Sequence, residues 1–189
     1  RCQIARPRVA SWIIRRAQRT PFFHLGDYMH RWWLMPRFML VRRADGVYDR
    51  KPWVPIAIRV HHIRRPDADP YLHDHPWPWR TFILRGHYAE EDVFGTLWMR
   101  FQGDTRAANA EVFHRIQSVS TGGVWTLFVM GRKCNSWGFM VGTNPPRKVY
   151  YREYISNNGR PVIVDEQRTM SEQQVTNEQR EPCSCNDQH

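Results

Sequence analysis

From Arg37 onward, apolar and polar positions alternate in short segments, the period of β-strands rather than helices. The segments run from Arg37 to Arg43, Pro55 to Arg64, Trp79 to Tyr88, Val93 to Gln102, Glu111 to Val119, Val124 to Met130 and Ser136 to Val141. Turn residues separate them, as in Ala44-Asp45-Gly46, Gln102-Gly103-Asp104 and Thr121-Gly122-Gly123. Many short strands with no helices between them predict an all-β, antiparallel sandwich or small barrel.

The flanks follow other patterns. Arg8 to Arg19 reads as a short basic helix with an apolar stripe through Val9, Trp12, Ile13 and Ile14, broken at Thr20-Pro21. Phe22 to Met35 is dense in aromatics and Met. It is expected to be an arm packed on its own domain, with a membrane-surface or partner-binding helix as the alternative. Val149 to Ile155 reads as a short closing helix, followed by a short apolar run at Pro161 to Val164. From about Asp165 the chain is rich in Glu, Gln, Asn and Ser, too polar to bury a core, so a disordered tail is expected. The division is therefore a basic helical and aromatic arm over 1–35, a β-barrel over 36–157 and a polar tail over 158–189.

Charge and cysteine usage narrow the setting. The net charge of +10 over 189 residues is concentrated before Arg65, while the stretch beyond Tyr151 is net acidic. A basic face can attract nucleic acid, anionic lipid or an acidic partner. No nucleic-acid-binding signature accompanies it, so a solvated Arg-rich surface is the favoured reading. Cys2, Cys134, Cys183 and Cys185 are poorly placed for a disulfide framework or a zinc knuckle, which points to a reducing, cytoplasmic setting. Nothing in the chain approaches the ~20 apolar residues of a membrane span. The start, Arg1-Cys2-Gln3, carries no initiator Met and no signal-peptide pattern, which leaves an upstream segment open.

The candidate chemistry lies in Tyr71 to Gly86. On an extended chain, residues i and i+2 share a face, so His73 and His75 converge while Asp74 points away. Such a pair can hold a metal ion or position a proton. A third histidine, His114, sits on a later predicted strand, and antiparallel strands that far apart can face each other across an interior.

These residues carry a resemblance. His73-Asp74-His75-Pro76-Trp77, then Arg85-Gly86, then His114-Arg115-Ile116, with Trp125 to Leu127 and Trp137 to Phe139, are similar to small cupin-like proteins, some of them phage-encoded. The resemblance implies a cupin-like double-stranded β-helix, or jelly-roll barrel, over roughly Arg37 to Val141. In the common cupin pattern a Glu ligand follows the histidine pair, but here Trp77-Pro78-Trp79-Arg80-Thr81 offers no carboxylate. What the resemblance then implies is ligation by His73, His75 and His114, as in thiol dioxygenases. Fe(II) is the favoured ion, with Zn(II), Ni(II) and Mn(II) also compatible.

Arg80 and Arg85 are candidates to anchor a substrate anion, at most one of them pointing inward, and Tyr88 is a third candidate catalytic residue. Tyr71, Trp125 and Trp137 are candidate walls, each taken alone better explained by packing. His61 and His62 are read as ordinary strand residues, and Cys134 as a plain hairpin cysteine.

Three functions remain open. One is an iron-dependent oxygenase acting on a small polar or anionic substrate. The second is a metal-independent sugar-nucleotide isomerase or epimerase with His as general base. The third is a non-enzymatic module binding a virion or nucleic acid through the basic N-terminal third. The resemblance also implies a homodimer formed through sheet edges.

Overall fold

The chain enters through a helix in which Ile13 and Ile14 of the expected apolar stripe are buried, while Val9 and Trp12 are exposed. Pro7 suits a first helical turn, and Ala10, Ile13, Ile14 and Ala17 form the buried stripe of α1 (Pro7–Ala17). Arg15 and Arg16 sit in its last turn, where the helix dipole favours cations. The computed structural model describes residues 6–142 and 145–156. The expected disordered tail over 158–189, the apolar run Pro161 to Val164, and Cys2, Cys183 and Cys185 lie outside the described residues.

Twelve strands and a closing helix follow among the described residues: β1 (Met29–Trp33), β2 (Leu40–Arg42), β3 (Tyr48–Arg50), β4 (Ala57–Ile63), β5 (Trp79–Arg85), β6 (His87–Glu91), β7 (Leu97–Phe101), β8 (Thr105–Ala108), β9 (Arg115–Val119), β10 (Val124–Met130), β11 (Gly138–Val141), β12 (Arg147–Tyr150) and α2 (Tyr151–Ser156). Every pairing is antiparallel, as the alternation predicts. A five-strand sheet has the order β1-β4-β10-β5-β8, and a three-strand sheet the order β7-β6-β9. Ile63, Ile83 and Val124 of the first sheet pack on Tyr88 and Ile116 of the second, so the two sheets face each other. Hydrogen bonding leaves them as separate sheets instead of closing them into one barrel. No helix among the described residues is long and apolar enough to cross a membrane.

The outer face of the five-strand sheet is covered by α1. Ala10, Ile13, Ile14 and Ala17 pack against Trp32, Val60 and Leu84, with Trp125 and Leu127 at the margin. Full burial of a side chain such as Val60 or Leu84 stabilises the fold by about 2 kcal/mol. The stretch expected to be a basic helical and aromatic arm over 1–35 supplies both this cover, through α1, and the edge strand β1, whose Trp33 is 1% exposed in the opposite, inner core.

Two corners pass the chain between sheets. Gly86 joins β5 to β6 at φ +81°, and a Cβ there would lie 2.6 Å from Ser120 Oγ and 2.8 Å from the Gly123 carbonyl oxygen. Gly123, at φ +82° beside it, returns the chain from β9 to β10. Only glycine fits either position without strain.

Several elements differ from the sequence expectation. Arg37–Met39 is a 3-10 turn after Pro36, so the strand expected from Arg37 begins only at Leu40. Val149 to Ile155, expected as a helix, begins as the end of β12 because Arg147–Tyr150 pairs with β11. Strands β1, β3 and β8 were not expected. β3 and β8 are too short to show a period, and the run of aromatics conceals the alternation of β1.

Candidate metal centre

His73 and His75 lie on an extended segment held from both sides. His73 exchanges backbone hydrogen bonds with His114, each 2.9 Å. Asp74 N donates to the Gly138 carbonyl at 3.1 Å, and His75 N to the Ala110 carbonyl at 3.1 Å. Asp74 turns away from the histidines, as the alternation requires, and is fully buried. Its carboxylate accepts from Gly138 N at 2.8 Å, Asn135 Nδ2 at 2.8 Å and Lys148 Nζ. That anchor fixes the segment, and with it the two imidazoles on the other face.

The result is a cluster. One ring nitrogen from each of His73, His75 and His114 lies within 4.8 Å of the other two, and such a group could hold a metal ion. His75 Nε2 and His114 Nε2 are 3.0 Å apart. The other ring nitrogen of His114, Nδ1, donates to Glu90 Oε1 at 2.6 Å. That bond selects the tautomer whose Nε2 lone pair faces the cluster, the arrangement a metal-binding histidine needs. His73 Nδ1 lies 3.6 Å from Asp67 Oδ2.

Electrostatics keep the cluster ready to donate lone pairs. Burial, reinforced by His114, lowers the His73 pKa to about 4. Burial together with His114 and His73 holds His75 well below the ordinary imidazole range. Burial alone would raise Glu90, but hydrogen bonds from His114 and Arg106 hold its carboxyl down at about 2. Glu90 is fully buried and also ion-paired with Arg100 and Arg106. Two neutral imidazoles and a third whose tautomer is set by a carboxylate fit a divalent cation.

The cluster opens on a cavity of about 660 Å³ between the sheets. Trp79 forms part of its wall and stacks on His114 at 5.1 Å between ring centroids. Trp79 and Thr81 thus face inward from the stretch where the common cupin pattern has a Glu.

Of the other candidate site residues, Tyr88 lines this cavity, and burial pushes its phenol pKa up, so it stays protonated. Arg80 and Arg85 do not line it. Arg80 is exposed and donates to Thr105 Oγ1 at 3.3 Å, while Arg85 is exposed and donates to Ser11 Oγ of α1 at 3.1 Å. At most one of them was expected to point inward, and a bulge leaves neither there. The pairing jumps from Thr126↔Ile83 to Trp125↔Arg85, which puts Arg85 on the outer face beside Leu84.

Trp125 is likewise outside, stacked between Trp32 and His62, and Tyr71 packs on Tyr154. Trp137 does line the cavity. Cys134 is half-buried, and its backbone N–H donates to the Pro76 carbonyl.

The structure adds residues that sequence reasoning missed. Glu90 falls between the expected strands Trp79 to Tyr88 and Val93 to Gln102, and lies on β6 in the structure. Arg31, Arg59 and His61 also line the cavity. His61 follows Arg59 by two and shares its face, a signal obscured by the expectation that strand interiors are apolar.

No family model matches the chain, and no curated protein matches it. Among solved structures it is similar to KdgF from Halomonas sp., with 11% identity, 59% of this chain and 87% of that chain covered, and a TM-score of 0.41. It is similar to an RmlC-like cupin from Shewanella frigidimarina, with 13% identity, 60% and 85% covered, and a TM-score of 0.42. It is also similar to ectoine synthase from P. lautus, with 8% identity, 65% and 77% covered, and a TM-score of 0.40. These neighbours are cupin-like proteins. Identities and scores this low say nothing of activity, and the chemistry below rests on the residues of this chain alone.

Proposed function

We propose that the protein is a cupin-type metal-binding protein and, more finely, an iron-dependent oxygenase acting on a small anionic substrate. The observation that carries this reading is the convergence of His73, His75 and His114 within 4.8 Å at the wall of a cavity between the sheets. His73, His75 and His114 would hold the ion through one imidazole nitrogen each. When bound, a divalent ion supplies Lewis-acid or redox chemistry at positions the three imidazoles leave open. The protein's own residues do the rest. Glu90 keeps the His114 ring in one orientation, Asp74 fixes the backbone carrying His73 and His75, and Trp79, Phe128 and Trp137 give the cavity apolar walls. Tyr88, held protonated, offers a hydrogen bond to a substrate oxygen.

The test is titration of the chelator-treated protein with Co(II), followed by visible absorption. Saturation near about one equivalent per chain is expected, and its loss in His73→Ala and His114→Ala. Absence of saturable binding in the unaltered protein contradicts the reading.

One observation favours a second reading. A histidine tied to a buried carboxylate, as His114 is to Glu90, is also the pattern of a general base. In that reading the protein is a metal-independent isomerase or epimerase, and its turnover survives chelator.

A further inference from the structure

The inner face of the five-strand sheet carries cations where a sandwich interior normally carries aliphatic side chains. The β1–β4 register sets Arg31 opposite His61 and Trp33 opposite Arg59. Strand β10 extends the same rows, with Thr126 opposite His61 and Phe128 opposite Arg59. Cross-strand neighbours on one face lie within side-chain reach of each other. Arg31, Arg59, His61 and Thr126 therefore form one polar strip, and all four line the cavity that contains the three-histidine cluster.

The two arginines are positioned but not neutralised. The Arg59 guanidinium lies 4.1 Å from the centroid of Phe22 and 4.4 Å from that of Trp33. The Arg31 guanidinium lies 4.8 Å from Phe22, and its Nε donates to the Phe23 carbonyl at 2.8 Å. Aromatic faces orient a guanidinium and leave its edge donors free. Among the described residues, neither arginine forms an ion pair. Asp49, whose field reaches Arg59, is paired with Arg43 at 3.6 Å.

Two polar atoms of the strip, Arg59 Nε and His61 Nε2, are buried without a hydrogen-bond partner, and His61 is only 7% exposed. Burial and the nearby Arg31 lower Arg59 to about 9, the mark of a cation short of counter-charge. Like charges held out of water with open donors are unfavourable until an anion completes them.

We propose that Arg31 and Arg59, together with His61 and Thr126, form an anion subsite that takes the carboxylate or phosphate group of the small molecule bound in this cavity. Guanidinium edges pair with two oxygens at once, the neutral His61 ring adds an N–H, and the Thr126 hydroxyl adds a third kind of donor. The subsite rests on the reading of the cavity as the substrate site, and it assigns that substrate an acidic group. It also replaces Arg80 and Arg85 as the anion anchors, from strands that lie outside the histidine motif.

The test uses the full chain at constant ionic strength, titrated in separate arms with inorganic phosphate and with malonate. Binding is read by isothermal titration calorimetry and by thermal shift. Saturable binding of at least one anion is expected, and the preferred one tells a phosphate group from a carboxylate. Arg31→Gln and Arg59→Gln should each weaken binding about tenfold or more. Arg80→Gln removes the same charge from the outer face and should leave binding unchanged. Arg59→Met guards against misfolding. Its ligand-free melting temperature should hold or rise as the repulsion is relieved, whereas a structural arginine would lower it.

The titrations are repeated after chelator treatment. Binding that persists there and still depends on Arg59 belongs to the subsite, even if no metal is ever found. Binding that disappears with the metal, that survives both arginine substitutions, or that falls equally in Arg80→Gln overturns the proposal, as does the absence of saturable binding by either anion.

Discussion

His73 and His114 face each other across an isolated antiparallel bridge, each amide donating to the other's carbonyl at 2.9 Å. Their rings stand 4.9 Å apart between centroids. The approach of the two imidazoles is thus set by main-chain hydrogen bonds and not by side-chain rotamers alone. A site built this way is preorganised, and its weak points are the groups that hold the backbone and the rings in place.

Asp74 is the first such group. Asp74→Asn keeps the shape but turns an amide donor toward Asn135 Nδ2 and Lys148 Nζ, which now donate to the carboxylate. The expected loss is about 3 kcal/mol of stability in urea denaturation, with weaker Co(II) binding in parallel. A change below about half a kcal/mol would show that Asp74 does not anchor the segment.

Trp79 is the second. It is 4% exposed and stacks on both His114 and Phe128. Trp79→Ala opens a cavity against the ring of His114 and should destabilise by about 3 to 5 kcal/mol. Trp79→Phe retains most of the stacking and should recover most of that loss. Equal losses in the two variants would remove stacking as the explanation.

The buried His61 gives a pH dependence with a defined sign. Burial, then Arg59, then Arg31 hold its pKa well below the ordinary 6.5. The folded imidazole stays neutral where the unfolded one takes up a proton. Its stabilising contribution is therefore present above about pH 6.5 and is lost as the pH falls below it. One such proton changes stability by about 1.4 kcal/mol per pH unit. Urea midpoints measured from pH 7 to pH 5 should fall less steeply in His61→Leu than in the unaltered chain. Identical slopes would mean that His61 takes up its proton equally in both states.

The cluster was legible in the sequence because its signal is local. His73 and His75 share a face by spacing alone, Asp74 opposes them for the same reason, and His114 lies within the expected strand Glu111 to Val119. Arg31, Arg59 and His61 were not legible, since a cationic strip inside a sheet inverts the pattern by which strands are recognised. Arg85 was misplaced because a bulge at Leu84 shifts facing by one residue, and bulges leave little trace in composition. Glu90 was hidden because its partners, His114, Arg100 and Arg106, reach it only through the fold.

The N-terminal segment gives a further expectation. Removing residues 1–35 would strip β1 from β4, take Trp33 out of the inner core and uncover Val60 and Leu84. The truncated chain should lose its cooperative thermal transition. A sharp transition near that of the full chain would show that the segment is a detachable arm, as an attachment role for the basic region requires.

Element-resolved metal analysis of protein purified without chelator tests the central reading most directly. The expected result is about one divalent ion per chain, iron foremost, falling to background in His73→Ala and His114→Ala variants that remain folded. Background metal in the unaltered protein, with no uptake on reconstitution with Fe(II), would contradict a three-histidine metal centre and leave His114 and Glu90 as a proton-transfer pair.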